Sequence, residues 1–372
     1  MADLKRQTQA VDTVKATEEL TQCARHYSAM ARKHMGVTFA ARTQMATINI
    51  RHLNNFVKAC VLDAAARAVA ATASATATDA DTGAVASESS AVLGAPRPRR
   101  GLTVVDIACG RGQDGPKFRY AAEAAGRRVS RYYALDLSAE NVESATRMAA
   151  TYLAEWAEVV DVRVGDMHDL AAYEFVPDGA AHIVTCQLAL HYLFRDPEGL
   201  RLFFREVARM LHPCGLLVVS YTDGRAIVRR GRDAATPAAY DTLGTVTYRT
   251  RYYWFSVPAA HLRLRVPSPY GMQYVFTLPG SVEEVPEYLV HEGVLWQAAT
   301  TQGLVGGASL GFDEAARLLF QQARFQTVAA KMKCDPGICD DAAAVDVASL
   351  YRVNLFAKDC GVLRAWDHCV NT

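Results

Sequence analysis

At 372 residues, 51% apolar and 21% charged, the chain has ample material for a large core and is too apolar for a disordered protein. Its net charge of +1 excludes a generally basic nucleic-acid binder, so any site for a polyanion has to be local. No apolar segment follows Lys5 and Arg6 at the N-terminus and no apolar run is long enough to span a bilayer, which predicts a soluble, intracellular protein with no membrane partner. Nine scattered cysteines without a C-x-x-C pair predict reduced thiols and no metal centre.

Taken in order, residues 1–69 read as helical: few glycines, no proline, and apolar residues at three- and four-residue spacing. Within them His26-Tyr27-Ser28 and Asn49–Lys58 carry more polar side chains than a plain amphipathic helix needs. Residues 70–100 are built mostly of Ala, Thr, Ser and Asp and close on Pro96-Arg97-Pro98-Arg99-Arg100, which reads as a linker or surface insertion. From Gly101 to Thr372 a β/α alternation sets in. Strands are expected at Leu102–Ile107, Val129–Leu137, Val159–Val164, Ala181–Gln187 and Leu216–Tyr221, with a long helix at Pro197–Leu211. Tyr248–Phe255, Tyr270–Leu278 and Tyr351–Phe356 are further strand-like stretches. This order predicts an α/β fold of the class I, Rossmann-like kind: a mostly parallel, doubly wound sheet preceded by N-terminal helices.

The turn after the first strand, Gly110-x-Gly112-x-x-Gly115, matches a nucleotide-binding fingerprint, but carboxylates surround it. Asp106 ends the first strand, Asp114 lies in the turn, Asp136 ends the second strand and Asp166 follows the third. Two carboxylates at a helix N-terminus would repel a pyrophosphate and welcome a sulfonium with an ammonium group. Asp136 stands about where an acid accepts from both ribose hydroxyls, and Asp166 where one meets the adenine amino group. The pattern favours S-adenosylmethionine over a dinucleotide.

The sequence resembles the mRNA cap (guanine-N7) methyltransferases. Asp106-Ile107-Ala108-Cys109-Gly110-Arg111-Gly112-Gln113-Asp114 is similar to that family's Asp-Leu-Gly-Cys-Gly-Lys-Gly-Gly-Asp, and Thr185–Tyr192 to its Ser-Cys-Gln-Phe-Ala-Leu-His-Tyr. The His26-Tyr27 and Leu53–Lys58 stretches, Tyr270–Leu278, Val285–Val290 and Leu350–Val353 extend the resemblance. It implies that Lys58, Asp106, Ala108, Gly110, Asp114, Asp136, Asp166 and Gln187 line the S-adenosylmethionine site, and that Asn54, His191, Tyr192, Glu287 and Tyr351 hold the cap guanosine. It further implies a capped RNA 5′ end as partner, a nuclear location, and a capping enzyme or RNA polymerase as recruiter. Ala108 replaces the first glycine of the motif, and Leu188 replaces a phenylalanine that would stack on the base.

Guanine N7 carries a lone pair and no proton, so methyl transfer to it needs neither a general base nor a metal, and no single catalytic residue is expected. A Glu287 carboxylate suits the N1–H and 2-amino donors of guanine, which adenine lacks at that edge. Two rival readings are a small-molecule methyltransferase on the same fold, with no use for Glu287 beside Asn54, and a silent RNA-binding or activating subunit, with no use for the cofactor acids. For RNA beyond the cap, the arginines at 225, 229, 230 and 232, and Arg249 and Arg251 among aromatics, are the candidates.

Overall fold

The computed structural model describes residues 25, 28, 29, 32, 47–80, 101–155, 157–235, 244–263 and 268–371. His26-Tyr27 and the basic segment at 96–100 lie outside them. Two sheets organise the rest. The larger has seven strands: β1 (Gly101–Ile107), β2 (Arg128–Asp136), β3 (Val159–Val164), β4 (Ala181–Gln187), β5 (Leu211–Thr222), β10 (Val305–Gly311) and β11 (Tyr351–Ala357), in the order β10-β11-β5-β4-β1-β2-β3. β1 to β5 run parallel, while β11 pairs antiparallel with β5 and β10 antiparallel with β11. The sheet is therefore mostly parallel and doubly wound, with an antiparallel edge. The strand order reverses between β1 and β4, so a crevice opens beyond their C-terminal ends. Register levels those ends: Ile107 pairs with Leu135 on one side and Cys186 on the other.

A helix from Ile48 to Ala80, here α1, covers one face of this sheet. It runs on through residues 70–80, so the segment read as a linker begins later than its composition implies. Alanine is the strongest helix former, and Thr72 and Ser74 return their hydroxyls to the carbonyls of Ala68 and Ala70. The helix has no exposed residue between Leu53 and Val69, because other helices cover it as well: α2 (Gly115–Ala124), α7 (Phe312–Phe320), α8 (Ala323–Met332) and α10 (Cys360–Asn371). Such all-round burial is why a simple amphipathic pattern is missing. Phe56 stacks on Phe320 with centroids 4.2 Å apart.

Helices α3 (Ala139–Tyr152), α4 (Pro197–Met210) and α5 (Gly224–Asp233) follow β2, β4 and β5; α6 (Glu292–Thr301) and α9 (Ala342–Ala348) complete the set. The second sheet is antiparallel, β6 (Thr245–Arg249), β7 (Trp254–Pro258), β8 (Gln273–Leu278) and β9 (Val282–Tyr288) in chain order. The stretch Tyr248–Phe255, expected as one strand, is instead a hairpin: Thr250 caps the turn through bonds with Tyr252 and Tyr253. Arg249 lies over the Trp254 ring and Arg251 over Tyr252, so both cations cover their own neighbours. This sheet is tied to the C-terminal edge of the larger one by the Asp223–Val290 bridge and the Gly271 N–H bond to Phe194 O. Among the described residues no helix is long and apolar enough to cross a membrane, and no group of three His, Cys, Asp or Glu side chains is placed to hold a metal ion.

Candidate active site

The glycine turn folds as its sequence requires. Gly110 and Gly112 have φ of +54° and +74°, the left-handed region where a side chain is strained. A Cβ on Gly112 would stand 2.8 Å from the Ala145 backbone, so this glycine lets the turn press against α3. A Cβ on Gly110 would meet nothing within 4 Å, so that position faces open space. Ala108 also has positive φ, +55°, at the place of the motif's first glycine.

Two adjoining cavities open from this turn, and both are lined by Ala108, Gly110, Asn141, Gln187 and Leu188. The first, about 270 Å³, is walled by Asp136, Asp166, Met167 and His168. Asp136 accepts from the Gly110 N–H at 2.8 Å, the Ser138 N–H at 3.0 Å and Asn141 Nδ2 at 3.0 Å. Three donors leave a carboxylate room for about one more, so Asp136 can take one ribose hydroxyl rather than both. Asp166 holds the backbone N–H and Nδ1 of His168, each at 2.9 Å; those contacts outweigh burial and keep its carboxyl below the usual range. Gln187 is locked by Thr185, Val218 and Ser220 and forms a wall between the cavities.

The second cavity, about 340 Å³, contains Asn54, Lys58, Asp106, Asp114, His191, Glu287 and Tyr351. Burial and the nearby charge of Asp114 push Asp106 up to about 8, although Tyr132 donates to it at 3.0 Å. Asp114 is the opposite case: burial works against its charge, but Lys117 at 2.6 Å and Lys58 at 2.9 Å hold it well below the usual carboxylate range. With a lysine on each oxygen, Asp114 anchors Lys58, and its charge is already balanced within the protein. Of the four acids, Asp106, Asp136 and Asp166 have no lysine paired to them among the described residues. Lys117, three residues after Asp114, supplies the second of the two balancing charges.

The remaining members of this cavity are buried and incompletely bonded. Glu287 is 4% exposed; its Oε2 accepts from Thr222 Oγ1 at 3.2 Å and from the Tyr274 hydroxyl, while Oε1 faces His191 Nε2 at 3.7 Å. Neither ring nitrogen of His191 nor Oδ1 of Asn54 has a hydrogen-bond partner among the described residues. Burial lowers the His191 pKa against the pull of Glu287, leaving a neutral imidazole with one donor and one acceptor. Unsatisfied buried polar atoms are costly and call for a ligand or a water. Tyr192, grouped with His191 by the resemblance, lines the first cavity instead, while its carbonyl faces His168 Nε2 at 3.2 Å. Successive residues of that short turn point to different sides. Thr222 and Tyr274 are hydrogen-bond partners of Glu287 that the sequence does not announce: Tyr274 alternates with Phe276 like any core strand residue, and nothing near Thr222 marks it.

The arrangement fits an adenosine-bearing sulfonium: open space at Gly110, a spare acceptor on Asp136, and a buried carboxyl at Asp106 that gains by meeting a cation. A model of the mRNA (guanine-N(7))-methyltransferase domain matches residues 94–358. Relatives include the mRNA cap guanine-N(7) methyltransferases of Cryptococcus neoformans, 24% identical over 61% of this chain and 34% of that protein, and of Schizosaccharomyces pombe, 26% identical over 51% and 49%. The Drosophila melanogaster enzyme of the same name is 28% identical over 55% of this chain and 46% of its own length. The chain thus spans between about a third and half of the relatives it matches. With the match covering most of the chain, the protein belongs to the mRNA (guanine-N(7))-methyltransferase domain family.

Proposed function

We propose that the protein transfers a methyl group from S-adenosylmethionine to N7 of the 5′-terminal guanosine of GpppN-capped RNA. The observation that carries this reading is the set of buried polar atoms around Glu287, in the cavity that adjoins the glycine-turn crevice. When bound, S-adenosylmethionine supplies a methyl group on positively charged sulfur. Lys58, Asp106, Ala108, Gly110, Asp136, Asp166 and Gln187 line its place, with Asp114 holding Lys58 in position. The protein's own work is to align the two reactants and to shape the field around them.

Glu287 Oε1, the carboxylate oxygen without a hydrogen bond among the described residues, accepts from the N1–H and 2-amino groups of guanine; Tyr274 and Thr222 fix the carboxylate through the other oxygen. Adenine presents no such donors, so the carboxylate specifies the base. Its negative charge also opposes the positive charge that develops on the ring. A neutral His191 adds none of its own and is free to donate to the base or ribose. Asn54 and Tyr351 close the pocket, and Tyr192 approaches from the adenosine side. No proton has to leave N7, so no general base is required. This reading implies a nuclear site of action and a capping enzyme or RNA polymerase as recruiting partner.

The test is transfer of labelled methyl to GpppN-capped RNA, m7GpppN-capped RNA and free GTP. Methylation of the GpppN end, with none at the m7GpppN end, is expected. A small-molecule methyltransferase or a silent RNA-binding subunit would label no guanosine acceptor at all.

A further inference from the structure

Arg195 is a cation of the first cavity to which the proposed reading gives no part. It ends the short 3₁₀ helix Leu190–Arg195 and lines that cavity. Its side chain is only 16% exposed, and its one ion pair among the described residues is with Asp196, through Nε at 2.9 Å. Asp196 is itself fixed, because its other oxygen accepts from the Gly199 N–H at 2.7 Å and caps α4. Anchored at Nε, the planar guanidinium has little freedom to turn. Yet Nη1 is buried with no hydrogen-bond partner among the described residues. A buried charged donor left unpaired costs more than a neutral one and marks a place for an acceptor.

Asp166 stands at the other end of the same brace. His168 meets its Oδ1 through Nδ1 and the Tyr192 carbonyl through Nε2. The start of α4 packs so close that a Cβ on Gly199 would lie 2.4 Å from His168 Cδ2. Tyr192 and Arg195 share one short helix, so acid and guanidinium are set in a fixed relation. They are near enough for their charges to act on each other: burial works against the Asp166 carboxylate, His168 favours it, and Arg195 favours it further. Both contacts to His168 use Oδ1, which leaves Oδ2 without a hydrogen bond among the described residues. Leu135, Leu137, Met167, Ala189 and Pro286 supply apolar walls that suit a flat base and not a phosphate. An acceptor beside a donor complements adenine at its 6-amino group, which has N1 on one side and N7 on the other. We infer that Arg195 Nη1 donates to a ring nitrogen beside the amino group of the cofactor's adenine, while Asp166 Oδ2 accepts from that amino group. A base with an oxygen in place of the amino group would set that oxygen against the carboxylate, so the pair selects adenine. The inference rests on S-adenosylmethionine as the cofactor.

The test is calorimetric binding to the full chain, wild type and Arg195→Met. The ligands are S-adenosylhomocysteine and its 1-deaza and 7-deaza analogues, in each of which one ring nitrogen becomes C–H. The wild type is expected to bind one of the two analogues about 10- to 100-fold more weakly, as for a lost hydrogen bond to a charged group. Arg195→Met should bind S-adenosylhomocysteine more weakly by a similar factor and no longer distinguish it from that analogue. A merely structural arginine would show no such coupling. Arg195→Lys should recover part of the affinity. In methylation assays Arg195→Met should raise KM for S-adenosylmethionine and leave kcat and KM for capped RNA alone. Indifference of the wild type to both ring nitrogens overturns the inference, whether or not the variant folds. So does a variant that still discriminates, or one that loses capped RNA and keeps S-adenosylhomocysteine. A wild-type protein that binds no S-adenosylhomocysteine at all would instead defeat the cofactor reading on which the inference rests.

Discussion

In the cavity beside Asp166, most polar side chains already have protein partners, the buried Arg195 Nη1 being an exception: Asp136 accepts three N–H groups, Asp166 holds His168, and Gln187 is bonded to three neighbours. In the cavity around Glu287, by contrast, Asn54 Oδ1 and both nitrogens of His191 are buried without partners among the described residues. The first is held mainly by the fold's own hydrogen bonds. The second is finished only when something enters it. Substitutions should therefore register as lost stability in one and as lost recognition in the other.

The largest effect is expected at Glu287. Replacing it by glutamine keeps the volume but places a donor where guanine also donates, and kcat/KM for capped RNA should fall about 10²- to 10³-fold. Cofactor affinity, followed by calorimetry, should stay within twofold; an equal fall would make Glu287 a structural residue. Next comes a matched pair. Asp136→Ala strands the Gly110, Ser138 and Asn141 donors and should cost about 2–3 kcal/mol in denaturant unfolding. Asn54→Ala removes an acceptor that has no partner among the described residues, so stability should move by less than about 1 kcal/mol while KM for capped RNA rises about tenfold. Similar unfolding curves for the two variants would erase the distinction between the cavities.

A smaller effect concerns pH. Asp106 titrates near 8 because burial disfavours its charge. A cationic ligand favours the ionised form, so cofactor affinity should rise as pH increases toward about 8 and level off above it, and Asp106→Asn should flatten the curve. For folding the sign is reversed. Its folded pKa lies above that of an unfolded carboxylate, so the protonated group favours the fold at low pH, and this contribution is lost between about pH 4 and about pH 8. The smallest effect is at Ala108, where φ of +55° strains a residue with a Cβ. Ala108→Gly should stabilise the protein by about 0.5–1 kcal/mol in the same unfolding assay, with little change in turnover.

What could be read in the sequence was local. The strands of the parallel sheet, the glycine turn and the acids at strand ends follow from periodicity and from residues that tolerate positive φ, and they lie close to where the pattern put them. The Tyr248–Phe255 hairpin is a local pairing hidden by its aromatic composition, and the sheet's antiparallel edge depends on pairing partners far along the chain. So does the state of each site residue. Asp114 looks like a cofactor acid until Lys58, 56 residues earlier, is seen on its oxygen. Glu287 is held by Thr222 across 65 residues. Tyr274 is a core residue, as its alternation says, and at the same time the donor that fixes Glu287. Helical phase separates the buried Arg230 from the exposed Arg229, a division that composition alone does not make.

Helix α1 limits where the polypeptide can be divided. The matched family segment starts at residue 94, beyond the end of this helix at Ala80. Yet Phe56, Val57, Leu62 and Val69 are each at most 1% exposed, and they belong to the same apolar cluster as Val104 of β1 and Val218 of β5. A polypeptide started at Gly101 would bare one face of the sheet together with the inner sides of α2 and α10. Homology draws a boundary there, but cooperative folding does not. The helix that brings Lys58 to the glycine turn belongs to the same folding unit as the turn.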